Sequence, residues 1–274
     1  MTIEDMEKLT PEKIAQLAES NHYHDQAAEH CRQRKYEQAA ALYKQAIEAR
    51  KKVMGEADHG RALLLDELGF AYLKAGQSDK ALASFQEALS LLETLYYAGH
   101  YFLGPVLEHM GDAACNMSKW EEAEGDYKRA LDIYDKTLSG EHRSTLVTMH
   151  KLASVLRNLE KYADAEAVLN KGLKQIDTPL GPAEEFRYEL ARLYEAQGKT
   201  QEAETNFKQA VAGFRQRRNL PRLGTCLETF AAFLAKSGRK EESEEIAHQA
   251  KMFKQMPRDE EKAEDFFPAT LLRA

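Results

Sequence analysis

The stretch LDELGFAYLKAGQSDKALASFQEALSL, Leu65 to Leu91, decides how the whole chain reads. It holds two amphipathic runs on either side of Ala75-Gly76-Gln77. In the second run Ala81 is followed by Phe85 four residues on and by Ala88 three further on, and these offsets share one helix face. In the first run Leu65, Leu68, Gly69 and Tyr72 recur at the same kind of spacing. Glycine can take the left-handed conformation that ends a helix, so the stretch predicts two helices folded back on each other about Gly76.

The same pattern recurs along the chain. Segments like the one at Gln77 begin at Lys35, Lys119, Lys161, Lys199 and Arg239. Their small anchor residues are Ala39, Ala81, Ala123, Ala165, Ala203 and Ser243, with spacings of 42, 42, 42, 38 and 40 residues. Four residues past the anchor stand Tyr43, Phe85, Tyr127, Leu169, Phe207 and Ala247; at seven stand Ala46, Ala88, Ala130, Gly172, Ala210 and Ala250. Thirteen and twelve residues before it come pairs such as Leu68-Gly69 and Met110-Gly111, the packing stripe of a preceding helix. Two helices in close contact need small residues there, because bulk would force the axes apart at about 1–3 kcal/mol of strain. A lone hairpin cannot bury its apolar face, so the units must stack, and stacking predicts a right-handed superhelix whose first helices line a hollow.

These residues, above all Leu65-x-x-Leu68-Gly69-x-x-Tyr72, resemble the tetratricopeptide repeat, from about residue 20 to 254. The 42-residue period looks like the longer variant of kinesin light chains and related bacterial proteins. The resemblance implies an all-α fold, a right-handed α-solenoid of about six repeats over 1–256, followed by a charged and aromatic tail at 257–274. It also implies binding of a partner protein or peptide. That subfamily often carries asparagine where this chain has Asp66, Glu108 and His150, so its peptide specificity does not transfer. The carboxylate clamp of chaperone-binding relatives needs Lys and Asn at set inner-helix places that no three consecutive repeats supply.

In the anchor register, inner-helix positions 15, 11 and 8 residues before each anchor face the hollow. The candidate peptide-binding residues are Asp66 and Phe70; Glu108 and Asp112; His150, Ser154, Arg157 and Asn158; and Tyr188, Arg192 and Glu195. Asp66, Glu108 and Asp112 favour a basic segment, Phe70 and Tyr188 offer aromatic anchors, and Arg157 with Arg192 can clamp a carboxylate. The plainer alternative is a solvated helix face.

Other chemistry finds little support. A net charge of -7 without a basic stripe argues against gripping nucleic acid. No apolar run is long enough to span a membrane, and the acidic start MTIEDMEKLT is unlike a secretion signal. Cys31, Cys115 and Cys226 form no CxxC pair and read as buried thiols in a reducing compartment, which places the chain in the cytoplasm. The nearest histidine cluster is His22, His24 and His30 with Cys31, but His22 and His24 point about 200° apart on one helix and cannot share an ion unless the helix breaks there. His59, His100 and His142 recur before their anchors and read as loop packing. No phosphate-binding, zinc-protease or serine-hydrolase motif occurs. Glu121-Glu122 and Glu241-Glu242 sit at helix starts, where the dipole stabilises them, and Trp120 reads as packing. No cofactor and no enzymatic activity are expected.

The ends differ from the middle. Thr10-Pro11-Glu12 is a helix start, with a first helix to about Arg32. In the tail, Phe266, Phe267, Leu271 and Leu272 follow a charged run. The tail reads as disordered, as a cover for the last repeat, or as a pseudo-ligand in the hollow of its own or another chain. The leading function is thus an adaptor for a protein or peptide. The alternatives are a scaffold that self-associates through tail or ends, and an enzyme with a site across the hollow.

Overall fold

The computed structural model describes residues 10–55, 58–138, 140, 142–176 and 182–255. The tail at 257–274, with the three readings given for it, lies outside the described residues. Among those residues there are helices and turns and no strand. The helices are α1 (Pro11–Arg32), α2 (Tyr36–Met54), α3 (His59–Lys74), α4 (Ser78–Leu95), α5 (Leu103–Asn116), α6 (Trp120–Thr137), α7 (Arg143–Asn158), α8 (Tyr162–Gln175), α9 (Ala183–Ala196), α10 (Thr200–Gln216), α11 (Leu220–Lys236) and α12 (Lys240–Gln255). They fall into two compact units, Met1–Lys161 and Tyr162–Ala274.

In the first unit α1 to α6 form three hairpins and α7 packs on α6. In the second, α8 packs on α9, and α9/α10 and α11/α12 are hairpins that pack on each other through α10 and α11. Thr10 caps α1, its hydroxyl accepting from the Lys13 N–H, and Pro11 needs no donor at the first helical position. Each hairpin turn has one residue with positive φ, five before the anchor: Arg34 (58°), Gly76 (77°), Ser118 (57°), Glu160 (58°), Gly198 (72°) and Gly238 (81°). The hydrogen bonds are those of a Schellman turn each time, as in Gln77 N–H to Tyr72 C=O (2.9 Å) and Gly76 N–H to Leu73 C=O (3.1 Å).

The anchors Ala39, Ala81, Ala123, Ala165 and Ala203 are fully buried, and so are Tyr43, Phe85, Tyr127, Leu169 and Phe207. A Cβ added at Gly69 or Gly111 would run into the ring of Phe85 or Tyr127, so the missing side chain is what lets each inner helix touch its outer partner. The degenerate last hairpin replaces the alanine anchor with Ser243, whose hydroxyl donates to the Ala231 carbonyl at 2.8 Å and so buries no unpaired polar group. No helix of the described residues is long and apolar enough to cross a membrane.

Candidate functional site: the inner-helix face

The first helix of each hairpin carries a row of polar residues, and the structure links them from one hairpin to the next. Within each unit, the residue 15 before one anchor meets the residue 14 before the next. His24 Nε2 on α1 lies 2.9 Å from Glu67 on α3. His109 Nδ1 on α5 lies 2.8 Å from Asp66 on α3. Lys151 Nζ on α7 donates to Glu108 on α5 at 2.6 Å. The same rung occurs in the second unit, where the Tyr188 and Thr229 hydroxyls are 2.8 Å apart.

The centre of the first unit is the densest part of this ladder. Lys151 also donates to Asp112 at 2.8 Å, and Thr148 donates to Glu108 at 3.0 Å. Tyr127 donates to Asp112 at 2.6 Å, and Cys115 Sγ lies 3.7 Å from the same hydroxyl. Burial alone would lower the Lys151 ammonium, but Asp112 and Glu108 outweigh it and hold the group above the ordinary lysine value. His109 follows the same logic: burial pulls it down, while Asp66, with Asp112 and Glu108 beyond, raises it. His24 is raised chiefly by its bond to Glu67, against burial.

The candidate residues therefore have distinct surroundings. Asp66 is buried against His109, and Glu108 and Asp112 are neutralised in part by Lys151, so the acidic charge of repeats two and three is answered from within the protein. Phe70 is half-buried, with the exposed Lys74 ammonium 5.1 Å above its ring. On α7, His150, Ser154 and Arg157 are half-buried and Asn158 is exposed. Arg157 donates to Asn158 Oδ1 at 3.2 Å and to Ser154 Oγ at 3.4 Å.

In the second unit Tyr188 is 5% exposed and so presents a ligand little surface. The guanidinium groups of Arg192 and Arg222 lie 5.7 and 5.5 Å from the centre of its ring. Arg192 pairs with Glu189 at 3.0 Å, Arg222 with Glu185 at 2.8 Å, and Glu195 with Lys236 at 2.8 Å. Arg157 and Arg192 belong to different units, each with the neighbours just named.

Sequence reading overlooked the second member of each rung: Glu67, His109 and Thr229, and Lys151 as a partner of acids. The signal was present as opposite charges 43 residues apart, one helical position off the repeat period. What remains open on the inner face of the first unit is the row 11, 8 and 7 residues before each anchor. It comprises Phe70, Leu73 and Lys74; Asp112, Cys115 and Asn116; and Ser154, Arg157 and Asn158, all half-buried or exposed. Such a surface offers amide, guanidinium and apolar contacts to an extended backbone.

The thiols of the described residues are held in their protonated form. Burial, opposed by Arg222, pushes the Cys226 thiol up to about 12, and burial raises Cys31 and Cys115 as well. Cys31 and Cys115 are half-buried where full burial was expected. Among the described residues no three His, Cys, Asp or Glu side chains are grouped to hold a metal. His142 and His100 accept backbone N–H groups at 3.2 and 3.3 Å, the first as the cap of α7.

Stacked helix hairpins of one register, with small residues at each contact, define a helical-repeat protein. More narrowly, the chain belongs to the tetratricopeptide repeat family, whose pattern matches residues 18–94 and 103–175, and in a second form 150–219. The repeats of a kinesin light chain from Podosopora anserina share 21% identity with a TM-score of 0.65, covering 72% of this chain and 95% of that one. A tetratricopeptide repeat protein from Parabacteroides merdae shares 18% with a TM-score of 0.64, covering 86% and 80%. At these identities the likeness is one of fold. A curated relative, RxLR effector protein SFI4 of Phytophthora infestans (strain T30-4), is 27% identical over 171 residues, 57% of this chain and 47% of that protein. The chain thus spans about half the length of the curated relative it matches.

Proposed function

We propose that the chain is an adaptor that holds a segment of a partner protein along the inner-helix face of its first unit. The observation that carries this reading is the open row itself. In α3, α5 and α7 the other faces are taken up by packing and by the ladder, while Phe70, Lys74, Asn116, Ser154, Arg157 and Asn158 keep surface to share. Amides and a guanidinium grip a peptide backbone and its carboxylates, and Phe70 gives an apolar anchor. Arg192 and Glu195 offer similar chemistry on the second unit, considered by itself. On this reading residues 1–256 are the repeat array and 257–274 an appendage, the partner is protein and not nucleic acid or membrane, and no catalysis is involved. Three unpaired thiols fit a reducing compartment such as the cytoplasm.

Selection of 12-residue peptides from a random library on the full chain tests this. Peptides should be enriched in a carboxylate beside an apolar residue. Arg157→Glu should weaken them about tenfold, the loss of one charge-assisted contact of roughly 1.4 kcal/mol, with unchanged helicity. Equal affinity for the variant would remove Arg157 from the site.

A further inference from the structure

The ladder is not chemically uniform. Its central rung uses a lysine, whereas the two rungs nearer the N-terminus use His24 and His109, which change charge near neutrality. His109 is the more consequential of the two, because it completes a cluster with more acid than base. Asp66, Glu108 and Asp112 converge from α3 and α5, and Lys151 from α7 answers only the latter two. Asp66 has a side chain 12% exposed, and its partner here is the imidazole.

We propose that the contact between the second and third hairpins is a proton-dependent joint, tight when His109 is charged and loosened when it is neutral. The groups facing the imidazole are few. Asp66 approaches from α3, Glu108 and Asp112 flank it on α5, and the rings of Phe70 and Phe85 close it off at 5.9 and 5.4 Å. From α6 the Tyr134 and Tyr127 hydroxyls reach Glu108 and Asp112, and from α7 Lys151 reaches both. With His109 charged, three carboxylates face two cations. When it is neutral, three face one, in half-buried surroundings (side-chain exposure 27% for His109 and 12% for Asp66) that screen like charges less well than bulk water does.

The sign follows from the acids. A histidine held above its ordinary value contributes stability that is complete below that value and fades as pH rises through the folded one. The joint therefore loosens as pH rises above the ordinary histidine range. His24 with Glu67 adds a smaller effect of the same sign, since its side chain is 38% exposed.

Hydrogen exchange on the full chain between pH 5.5 and 8.5, corrected for the intrinsic dependence of exchange on pH, tests the proposal. Protection of α3 and α5 should fall several-fold more steeply with pH than that of α10. In His109→Gln, which keeps a donor for Asp66 without charge, protection should be low and nearly flat. A ring-proton NMR titration of the unaltered chain gives a readout independent of variant folding. A His109 midpoint above the ordinary histidine value supports the joint. A midpoint at or below it, or the same slope in His109→Gln as in the parent, overturns it.

Discussion

Replacing Lys151 by methionine keeps an unbranched side chain one atom shorter and deletes the charge. Lys151 is 12% exposed and its two acceptors, Glu108 and Asp112, are 13% and 28% exposed. Removing one member of a buried pair costs about 3–5 kcal/mol, because the remaining charge stays buried without its counterion. Two features place this case at the lower end. Glu108 keeps the Thr148 hydroxyl and Asp112 keeps that of Tyr127, and Asp112 reaches water. About 3 kcal/mol is therefore expected, or roughly a hundredfold loss of exchange protection in α5 and α7 at pH 7. Neutralising all three groups, as Glu108→Gln with Asp112→Asn and Lys151→Met, leaves no unpaired charge and should recover most of that loss. Hydrogen exchange is the suitable assay, since hairpins in a repeat array open locally. A single variant that loses less than threefold, or a triple variant no better than the single, would refute the ladder as an electrostatic tie.

Other outcomes follow from packing and backbone geometry. Gly111→Ala drives a methyl group into the Tyr127 ring and should destabilise the first unit by about 1–3 kcal/mol in denaturant titration. Arg34, Ser118 and Glu160 adopt the left-handed conformation that Gly76 and Gly198 occupy without a side chain. Glycine there relieves about 1–2 kcal/mol of strain and returns about 0.5–1 kcal/mol as chain entropy. The triple glycine variant should thus gain about 2 kcal/mol and melt roughly 4–8 °C higher, the three sites being far enough apart to add. Burial, with Glu122 adding to it and Arg129 opposing, lifts the Asp126 carboxyl to about 6 from an ordinary 3.8. The fold favours its protonated form, so stability tied to this group is complete below 3.8 and lost as pH rises through about 6. After allowance for solvent screening of a half-buried group, Asp126→Asn should stabilise by about 1 kcal/mol at pH 7.5 and by nothing at pH 3.5, as read from paired melting curves.

The sequence made the repeat register legible because one small residue in each unit must sit where two helices touch, and no other pattern satisfies that contact six times. The start at Thr10-Pro11 was equally plain, since a capping hydroxyl followed by proline has few other uses. Two of the hairpin turns were not: Ser118 and Glu160 carry no glycine, and the Schellman hydrogen bonds that hold them are made by backbone alone. The candidate site was half legible. Periodicity placed Phe70, Asp112, Ser154 and Arg157 on the inner face, but periodicity within one helix does not show what the next helix presents. Asp66 and Glu108 therefore read as surface charge, although His109 and Lys151 reach across from helices 43 residues away. Tyr188 was taken for an anchor on the same ground, and Thr229 binds its hydroxyl instead.

A photo-reactive amino acid introduced in turn at two exposed positions, Asn116 in the open inner row and Ser90 on the outer helix α4, tests the adaptor most directly. Irradiation in the presence of a selected peptide should yield a covalent complex from position 116 and none from position 90, and unlabelled peptide should compete it away. Labelling through position 90, with position 116 silent, would contradict the assignment of the inner face as the binding surface.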